Sequence, residues 1–289
     1  MFWRQLLLLV GVYACSTAVI FIKISAMDAC LLAAYRQLLA AALLTPLMLR
    51  DLRRAGNRLG WNEIRRCAAP GVLLGLHFIT WIIGARLTPA ANSSLIVNMT
   101  PVAMPFILLA LARERLNRWE IAGTALAMGG VVVLAGGDFR ISAASFRGDA
   151  LCFVSMLIFT LYLALARRNR GTVSLWTYVT PLYFVGGAFC LGVAFIFGSR
   201  PQACSVRETM LIVGLAVIPT VIGHSILNSS MRKMRGQIVA LFNLAQFIFA
   251  GWMAFWLLDE LPGATFVPAA LLVVSGAVIA IRFGPPQSG

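Results

Sequence analysis

The chain has 289 residues, of which 60% are hydrophobic and only 12% are charged, and its formal net charge is +14. Soluble domains are about 45–50% apolar and about 25% charged, so this composition excludes a soluble enzyme, a disordered tail and a collagen-like fibre. The basic residues form small clusters between long apolar runs, whereas nucleic-acid binders concentrate charge on one water-facing surface. The composition therefore predicts an integral membrane protein with no nucleic-acid partner.

Ten apolar runs follow one another along the chain, each close to the roughly 20 residues that a helix needs to cross a bilayer. They cover residues 4–24, 29–49, 67–86, 90–111, 119–137, 149–167, 173–197, 208–231, 236–258 and 264–282. Strands of a membrane barrel would be about half as long and would alternate polar with apolar residues. The predicted fold is therefore all-α, with ten transmembrane helices. The first run resembles a secretion signal, but Tyr13 is too bulky for the cleavage site, and we expect a retained helix.

Arginine and lysine residues set the predicted topology, because cytoplasmic loops of membrane proteins carry an excess of them. With a cytoplasmic N-terminus, the inside segments hold 17 of the 24 basic residues and the outside segments hold 6, with Arg36 inside a run. This bias predicts a multi-pass protein of the bacterial inner (plasma) membrane with both termini in the cytoplasm. No P-loop motif of a nucleotide-driven pump is present in the sequence.

The two halves of the chain repeat one another at an offset of 146 residues, which aligns all five runs and places Arg86 on Arg232 and Glu114 on Glu260. Because five is an odd number, the halves must insert in opposite orientations. Inverted repeats are typical of secondary transporters, in which two similar halves rock about a shared site. The predicted repeats are residues 1–137 and 149–283.

The ends of the fourth and ninth runs resemble the EamA-like drug/metabolite transporters. The matching stretches are Asn98-Met99-Thr100-Pro101 through Ala112-Arg113-Glu114-Arg115-Leu116, Phe255-Trp256-Leu257-Leu258-Asp259-Glu260-Leu261, Gly148-Asp149 and Ala34-Tyr35-Arg36-Gln37-Leu38. The resemblance covers the whole chain and implies ten helices in two repeats and export of a small molecule. In the family the ninth helix commonly carries a Glu-Pro pair. This chain has Gln246-Phe247 there, so the sequence provides no proline kink in that helix.

Polar side chains within the runs are candidates for function, because they are costly in lipid. The candidate substrate-binding residues are Arg36, His77, Trp81, Asn98, Tyr162, His224, Asn228, Asn243 and Gln246. Arg36 could extend to the outer interface, cap carbonyls of a neighbouring helix, or hold a substrate carboxylate. The spacings of four from His77 to Trp81 and from His224 to Asn228 place each pair on one helix face. The two histidines are expected to meet in one central region, as substrate ligands or in interhelical hydrogen bonds.

On the fourth run, Ser94, Asn98, Pro101 and Pro105 share a face. Each proline removes a backbone donor and frees a carbonyl, which either lines a binding cavity or is satisfied by a neighbouring side chain. On the ninth run, Asn243 and Gln246 share a face and add uncharged donors and acceptors. Aromatic residues such as Tyr162 add apolar surface.

All ten acidic residues lie in loops or near the ends of runs, so we expect no carboxylate in the cavity. This disfavours export of lipophilic cations and a carboxylate-based proton antiporter. If transport is coupled to protons, a histidine must carry the proton, since only histidine titrates near neutral pH in its ordinary state. We expect no cofactor and no metal site, and a homodimer is left open.

These observations predict a transporter that exports a small polar amino-acid-like metabolite by alternating access. Its cargo would be an amino acid or an amino-acid-derived compound such as a small metallophore. One alternative is multidrug efflux of hydrophobic compounds, which the aromatic content favours. Another is a membrane-embedded enzyme or a non-transporting receptor. No clustered metal ligands and no nucleophile with a base support an enzyme, and the inverted repeat disfavours a receptor.

Overall fold

The computed structural model describes residues 2–56, 60–138, 143–171, 174–199 and 204–284. All regular secondary structure within these residues is helical, and ten of the helices are long and apolar enough to cross a membrane. We number them α1 (Trp3–Ile24), α2 (Ala29–Arg54), α3 (Trp61–Leu87), α4 (Ala90–Ala112), α5 (Arg118–Gly136), α6 (Ser145–Arg168), α7 (Leu175–Ile196), α8 (Val206–Lys233), α9 (Gly236–Leu258) and α10 (Phe266–Phe283). The ten predicted helices are confirmed.

Several helices start where a polar side chain accepts from backbone N–H groups that have no partner in the first turn. Asp28 accepts hydrogen bonds from the backbone N–H groups of Cys30 and Leu31 at the start of α2. Ser174 and Ser205 cap α7 and α8 in the same way. Because such a cap involves only residues that are neighbours in the sequence, it determines where the helix begins independently of the packing between helices.

Helices α4 and α9 are both interrupted near the middle. Helix α4 consists of Ala90–Val97 and Thr100–Ala112, and α9 consists of Gly236–Leu244 and Gln246–Leu258. The breaks lie at equivalent positions under the 146-residue offset. Proline follows the break only in α4, so the break in α9 arises without the proline that the family pattern would supply. Broken helices expose backbone groups and commonly form the binding sites of transporters.

Helix α8 contains a π-helical segment, Ala216–His224, in its middle. Pro219 lies in this segment and has no N–H to donate to the preceding turn. The side chain of Thr220 donates to the carbonyl of Leu215 over 2.7 Å, which satisfies a backbone acceptor beside the proline. Short π-helical segments often mark functional sites, because they turn side chains out of the regular helical pattern.

The helices of one half pack extensively against those of the other half: α5 against α10, α2 against α7, α3 against α6 and α7, and α4 against α9. Small residues allow close approach in the α5–α10 pair. A Cβ on Gly123 would lie 2.3 Å from the carbonyl oxygen of Gly276, and one on Gly130 would lie 2.7 Å from that of Ala269. These two contacts exchange with one another under the 146-residue offset.

Candidate substrate-binding site

A small pocket lies at the centre of the bundle, near the breaks in α4 and α9. Its volume is about 10 Å³, and its lining consists of Cys15, His77, Trp81, Val97, Asn98, Phe159, His224 and Gln246. That volume holds roughly one water molecule. Five of the nine candidate residues line this pocket, and the other four, Arg36, Tyr162, Asn228 and Asn243, are fully buried around it in contacts described below.

Three amide side chains form a continuous chain across the two helix breaks. The Nδ2 of Asn243 donates to the Oδ1 of Asn98 over 2.6 Å, and the Nε2 of Gln246 donates to the Oδ1 of Asn243. The Nδ2 of Asn98 donates in turn to the carbonyl of Ser94 over 2.7 Å. The chain links α4 to α9 beside the pocket.

The two histidines meet at Phe159, as the matched positions of their helices predict. The centroid of this ring lies 4.4 Å from that of His77 and 5.7 Å from that of His224. The Nδ1 of His77 lies 2.8 Å from the hydroxyl of Ser155 on α6, which is the interhelical hydrogen bond considered above. The Nδ1 of His224 is buried without a partner. The pocket therefore contains a buried ring nitrogen, Nδ1 of His224, that no hydrogen bond occupies.

The remaining candidate side chains make polar contacts around the pocket. The Nδ2 of Asn228 donates to the carbonyl of His224 over 2.7 Å and contacts the hydroxyl of Tyr162 on α6. The indole N–H of Trp81 donates to the hydroxyl of Ser93 over 3.0 Å. These bonds fix the side-chain rotamers around the pocket, and preorganised side chains lose less entropy when a ligand binds.

Arg36 is fully buried, so it does not extend to the membrane interface. Its Nε and Nη2 donate to the single hydroxyl of Thr220 over 3.1 and 3.0 Å, and its Nη1 has no partner. Its Cζ lies 3.8 Å from the ring centroid of Phe78. Burial of a charge destabilises a protein by several kcal/mol, and a cation–π contact offsets only about 2 kcal/mol of this free energy.

The carbonyl freed by Pro105 is satisfied within the protein. Pro105 cannot donate to the carbonyl of Pro101, and the Nε2 of Gln237 on α9 donates to that oxygen over 3.0 Å instead. The same nitrogen donates to the hydroxyl of Thr124 over 2.8 Å. Gln237 thus joins α9 to α4 and α5, and the carbonyl of Pro101 is not available for a substrate cation.

None of the carboxylates that the structure describes lines the central pocket, in agreement with the sequence. No group of three or more possible metal ligands occurs in the described part of the chain. The pocket chemistry among these residues is therefore amide, imidazole and aromatic, with a buried guanidinium behind Phe78.

Two glutamates at equivalent positions hold opposite ends of the α4–α9 pair. Glu114 forms an ion pair with Arg167 at 2.8 Å and accepts from the backbone N–H of Gly236 over 3.0 Å. Glu260 forms an ion pair with Lys23 at 3.0 Å and accepts from the backbone N–H of Ala90 over 2.8 Å. Each glutamate therefore ties the end of one broken helix to the start of the other. We call these ends of the bundle the Glu114 end and the Glu260 end.

The chain turns sharply just before each glutamate. Arg113 and Asp259 have φ values of 52° and 55°, and they are the non-glycine residues with positive φ among those described. This left-handed conformation is uncommon for side chains with a Cβ. It occurs twice at the same offset of 146 residues, and it directs the following carboxylate back to the neighbouring helix.

The Glu114 end has a second bridge between the halves. The buried Glu120 of α5 pairs with Arg235 of the other half, whose Nη2 lies 2.7 Å from Oε2 of Glu120. The same Nη2 donates to the carbonyl of Arg115 over 2.7 Å. The hydrogen bond to Glu120 raises the pKa of Arg235 above its ordinary value, so Arg235 stays charged at neutral pH.

The Glu260 end holds a vestibule of about 730 Å³. Its lining includes Lys23, Arg86, Asn92, Gly251 and Glu260. Asn92 precedes the pocket residue Asn98 by six positions on α4, which is roughly 9 Å along a helix. The Glu114 end therefore has two ion pairs between the halves, whereas the Glu260 end has one, Lys23–Glu260, beside this vestibule.

Sequence reasoning missed several residues of the site. Phe159 contacts both histidines, Phe78 covers Arg36, and Thr220 accepts from Arg36. Thr220 had a signal in the sequence, because it precedes His224 by four and follows Pro219 directly. The two phenylalanines had none, since an aromatic residue in an apolar run is ordinarily packing.

A sequence model of the EamA-like transporter family matches residues 2–136 and 146–282. The chain belongs to the EamA-like transporter family. It is 24% identical to an uncharacterized transporter of Archaeoglobus fulgidus over 90% of this chain and 91% of that protein. It is 22% identical to the pseudopaline exporter CntI of Pseudomonas aeruginosa over 80% of each chain. The protein is therefore a multi-pass membrane transporter.

A protein of known crystal structure has a similar fold, with a TM-score of 0.77 at 19% identity. The superposition covers 98% of this chain and 99% of the other. At this identity the likeness concerns the fold alone.

Proposed function

We propose that this transporter exports a small polar, amino-acid-like metabolite across the bacterial inner membrane by alternating access. The observation that carries the proposal is the central pocket, where the amides of Asn98, Asn243 and Gln246 meet the free nitrogen of His224 between the two halves. These groups supply donors and acceptors for a zwitterion. The absence of a carboxylate among the described pocket residues disfavours lipophilic cations.

Alternating access is supported by the unequal ends of the bundle. The central pocket of about 10 Å³ is far smaller than the roughly 300–1,000 Å³ of typical ligand sites, so the cargo must bind when the helices separate. The Glu114 end is closed by ion pairs between the halves, and the Glu260 end holds the vestibule. The predicted topology places the Glu260 end outside, which makes this conformation the outward-facing one.

The export direction rests on the resemblance to the family and on the relative named as a pseudopaline exporter. Coupling to protons is proposed through His224, whose Nδ1 has no partner within the pocket. The two family-matched segments, 2–136 and 146–282, support the proposed division into two repeats.

The test is transport by the purified protein in liposomes. Flux is recorded for serine, histidine and methionine and for hydrophobic dyes, with and without a pH gradient. The variants are Gln246→Ala and His224→Ala, with Tyr13→Phe, whose side chain is 45% exposed, as a control. We expect saturable amino-acid flux that Gln246→Ala lowers at least tenfold and gradient dependence that His224→Ala removes. Flux of dyes alone would support multidrug efflux instead.

A further inference from the structure

Arg36 carries a charge that the described protein does not balance. Its side chain is fully buried, and no described acidic group forms an ion pair with it. The pairs at the two ends of the bundle use Glu114, Glu120 and Glu260 for other cations. Buried charges in proteins are ordinarily paired, because the interior cannot solvate them as water does. The anion that balances Arg36 is therefore expected to come from outside the protein.

The hydrogen bonds of Arg36 leave part of the guanidinium available. Nε and Nη2 share the one hydroxyl of Thr220, which itself donates to the carbonyl of Leu215. Nη1 has no partner. A neutral side chain could also donate to the hydroxyl of Thr220. The bond to Thr220 therefore does not explain why residue 36 is charged. A guanidinium with free N–H groups matches the two oxygens of a carboxylate.

Phe78 contacts both this guanidinium and a residue of the central pocket. Its ring centroid lies 3.8 Å from Cζ of Arg36 and 5.2 Å from the ring centroid of His224. His224 lines the pocket, and Phe78 follows the pocket residue His77 directly on α3. A rotation of the Phe78 side chain, or a shift of α3 against α8, would bring Arg36 into contact with the pocket contents.

We propose that Arg36 binds the carboxylate of the cargo and that Phe78 shields this guanidinium until the cargo enters. The proposal rests on the proposed function and narrows its cargo to small molecules that carry a carboxylate. Nη1 and Nη2 donate to the two carboxylate oxygens, while Nε keeps its bond to Thr220. The amides of Asn98, Asn243 and Gln246 then face the remaining polar groups of the cargo. Phe78 acts as a positioning residue, since it controls access to Arg36.

The experiment compares each amino acid with its carboxamide, which keeps the shape and amine but lacks the negative charge. Flux into liposomes is measured for serine against serinamide, histidine against histidinamide and methionine against methioninamide. The unaltered protein is compared with Arg36→Gln, Arg36→Lys and Phe78→Leu. Arg50→Gln is the control, because the side chain of Arg50 is half exposed at the end of α2.

The unaltered protein is expected to carry the acids at least tenfold faster than the carboxamides. Arg36→Gln should bring this ratio close to one while carboxamide flux persists, and Arg36→Lys should retain part of the preference. Phe78→Leu should keep the preference and lower KM for the acids at least threefold, because the guanidinium no longer has to displace a ring. Arg50→Gln should change neither quantity.

Equal flux of acids and carboxamides in the unaltered protein, or an unchanged ratio in Arg36→Gln, would overturn the role of Arg36 and leave the proposed function standing. An unchanged KM in Phe78→Leu would overturn the shielding role. If Arg36→Gln does not fold, the ratio of acid to carboxamide flux in the unaltered protein and in Arg36→Lys decides the role of Arg36. No flux of either compound type would overturn the proposed function and this inference with it.

Discussion

Replacing Glu114 by glutamine is expected to open the Glu114 end of the bundle. The carboxylate joins the end of α4 to two elements of the other half, through the ion pair with Arg167 at 2.8 Å and the bond from Gly236 at 3.0 Å. The two side chains of the ion pair are only 5% and 9% exposed, so solvent screens the pair weakly. Glutamine keeps an acceptor for Gly236 but loses the charge opposite Arg167.

The magnitude follows from that single lost interaction. A hydrogen bond to a charged group contributes about 1.5–3 kcal/mol, and Arg167 keeps its bond to the carbonyl of Met231. A net loss of about 2 kcal/mol from the closed state raises the ratio of open to closed molecules roughly 30-fold. The equivalent change at Glu260 removes a weaker interaction, since its ion-pair side chains are 18% and 29% exposed.

Distance measurements between spin labels test this expectation. Labels on the exposed residues Arg118 and Lys233 report on the two halves at the Glu114 end, in a background where the exposed Cys204 is replaced by serine. Glu114→Gln should add a longer distance that the unaltered protein lacks. Glu63→Gln is the matched control, because this carboxylate caps its own helix through Gly60. An unchanged distance distribution in Glu114→Gln would refute the role of this ion pair as a closure.

Further expectations concern packing and the polar groups between the halves. Gly123→Ala should destabilise the protein by about 1–3 kcal/mol, seen as a lower melting temperature, because the new Cβ would meet the carbonyl of Gly276. A Cβ on Gly129 would have no neighbour within 4 Å, so Gly129→Ala should leave the melting temperature unchanged. An equal fall of the melting temperature in both variants would contradict the packing argument. Asn243→Ala should lower amino-acid flux at least tenfold with a folded protein on gel filtration, and unchanged flux would remove the amide chain from the site. Gln237→Leu should cost about 1–3 kcal/mol in thermal unfolding by leaving the carbonyl of Pro101 unpaired, and an unchanged melting temperature would show that this acceptor finds another partner.

The central site was only partly predictable from the sequence. The spacings on α3, α4, α8 and α9 selected five residues that line the pocket, because a helix face follows from position alone. The same spacings could not distinguish the paired His77 from His224 with its free Nδ1, since the partner of His77 lies on α6. The sequence showed that Arg36 lies well inside the second apolar run. It could not show the bond to Thr220, because that bond joins residues 184 positions apart.

The sequence by itself determined the ten helices and the position of the acidic residues in loops or near the ends of the apolar runs. Both follow from the free energy of placing single groups in lipid, where an unpaired backbone group or an unpaired charge is strongly unfavourable. The tertiary structure alone decided the break in α9, the ring of Phe78 over Arg36 and the unequal ends of the bundle. These depend on how each helix is rotated against its neighbours, and that rotation is set by packing between residues far apart in the chain.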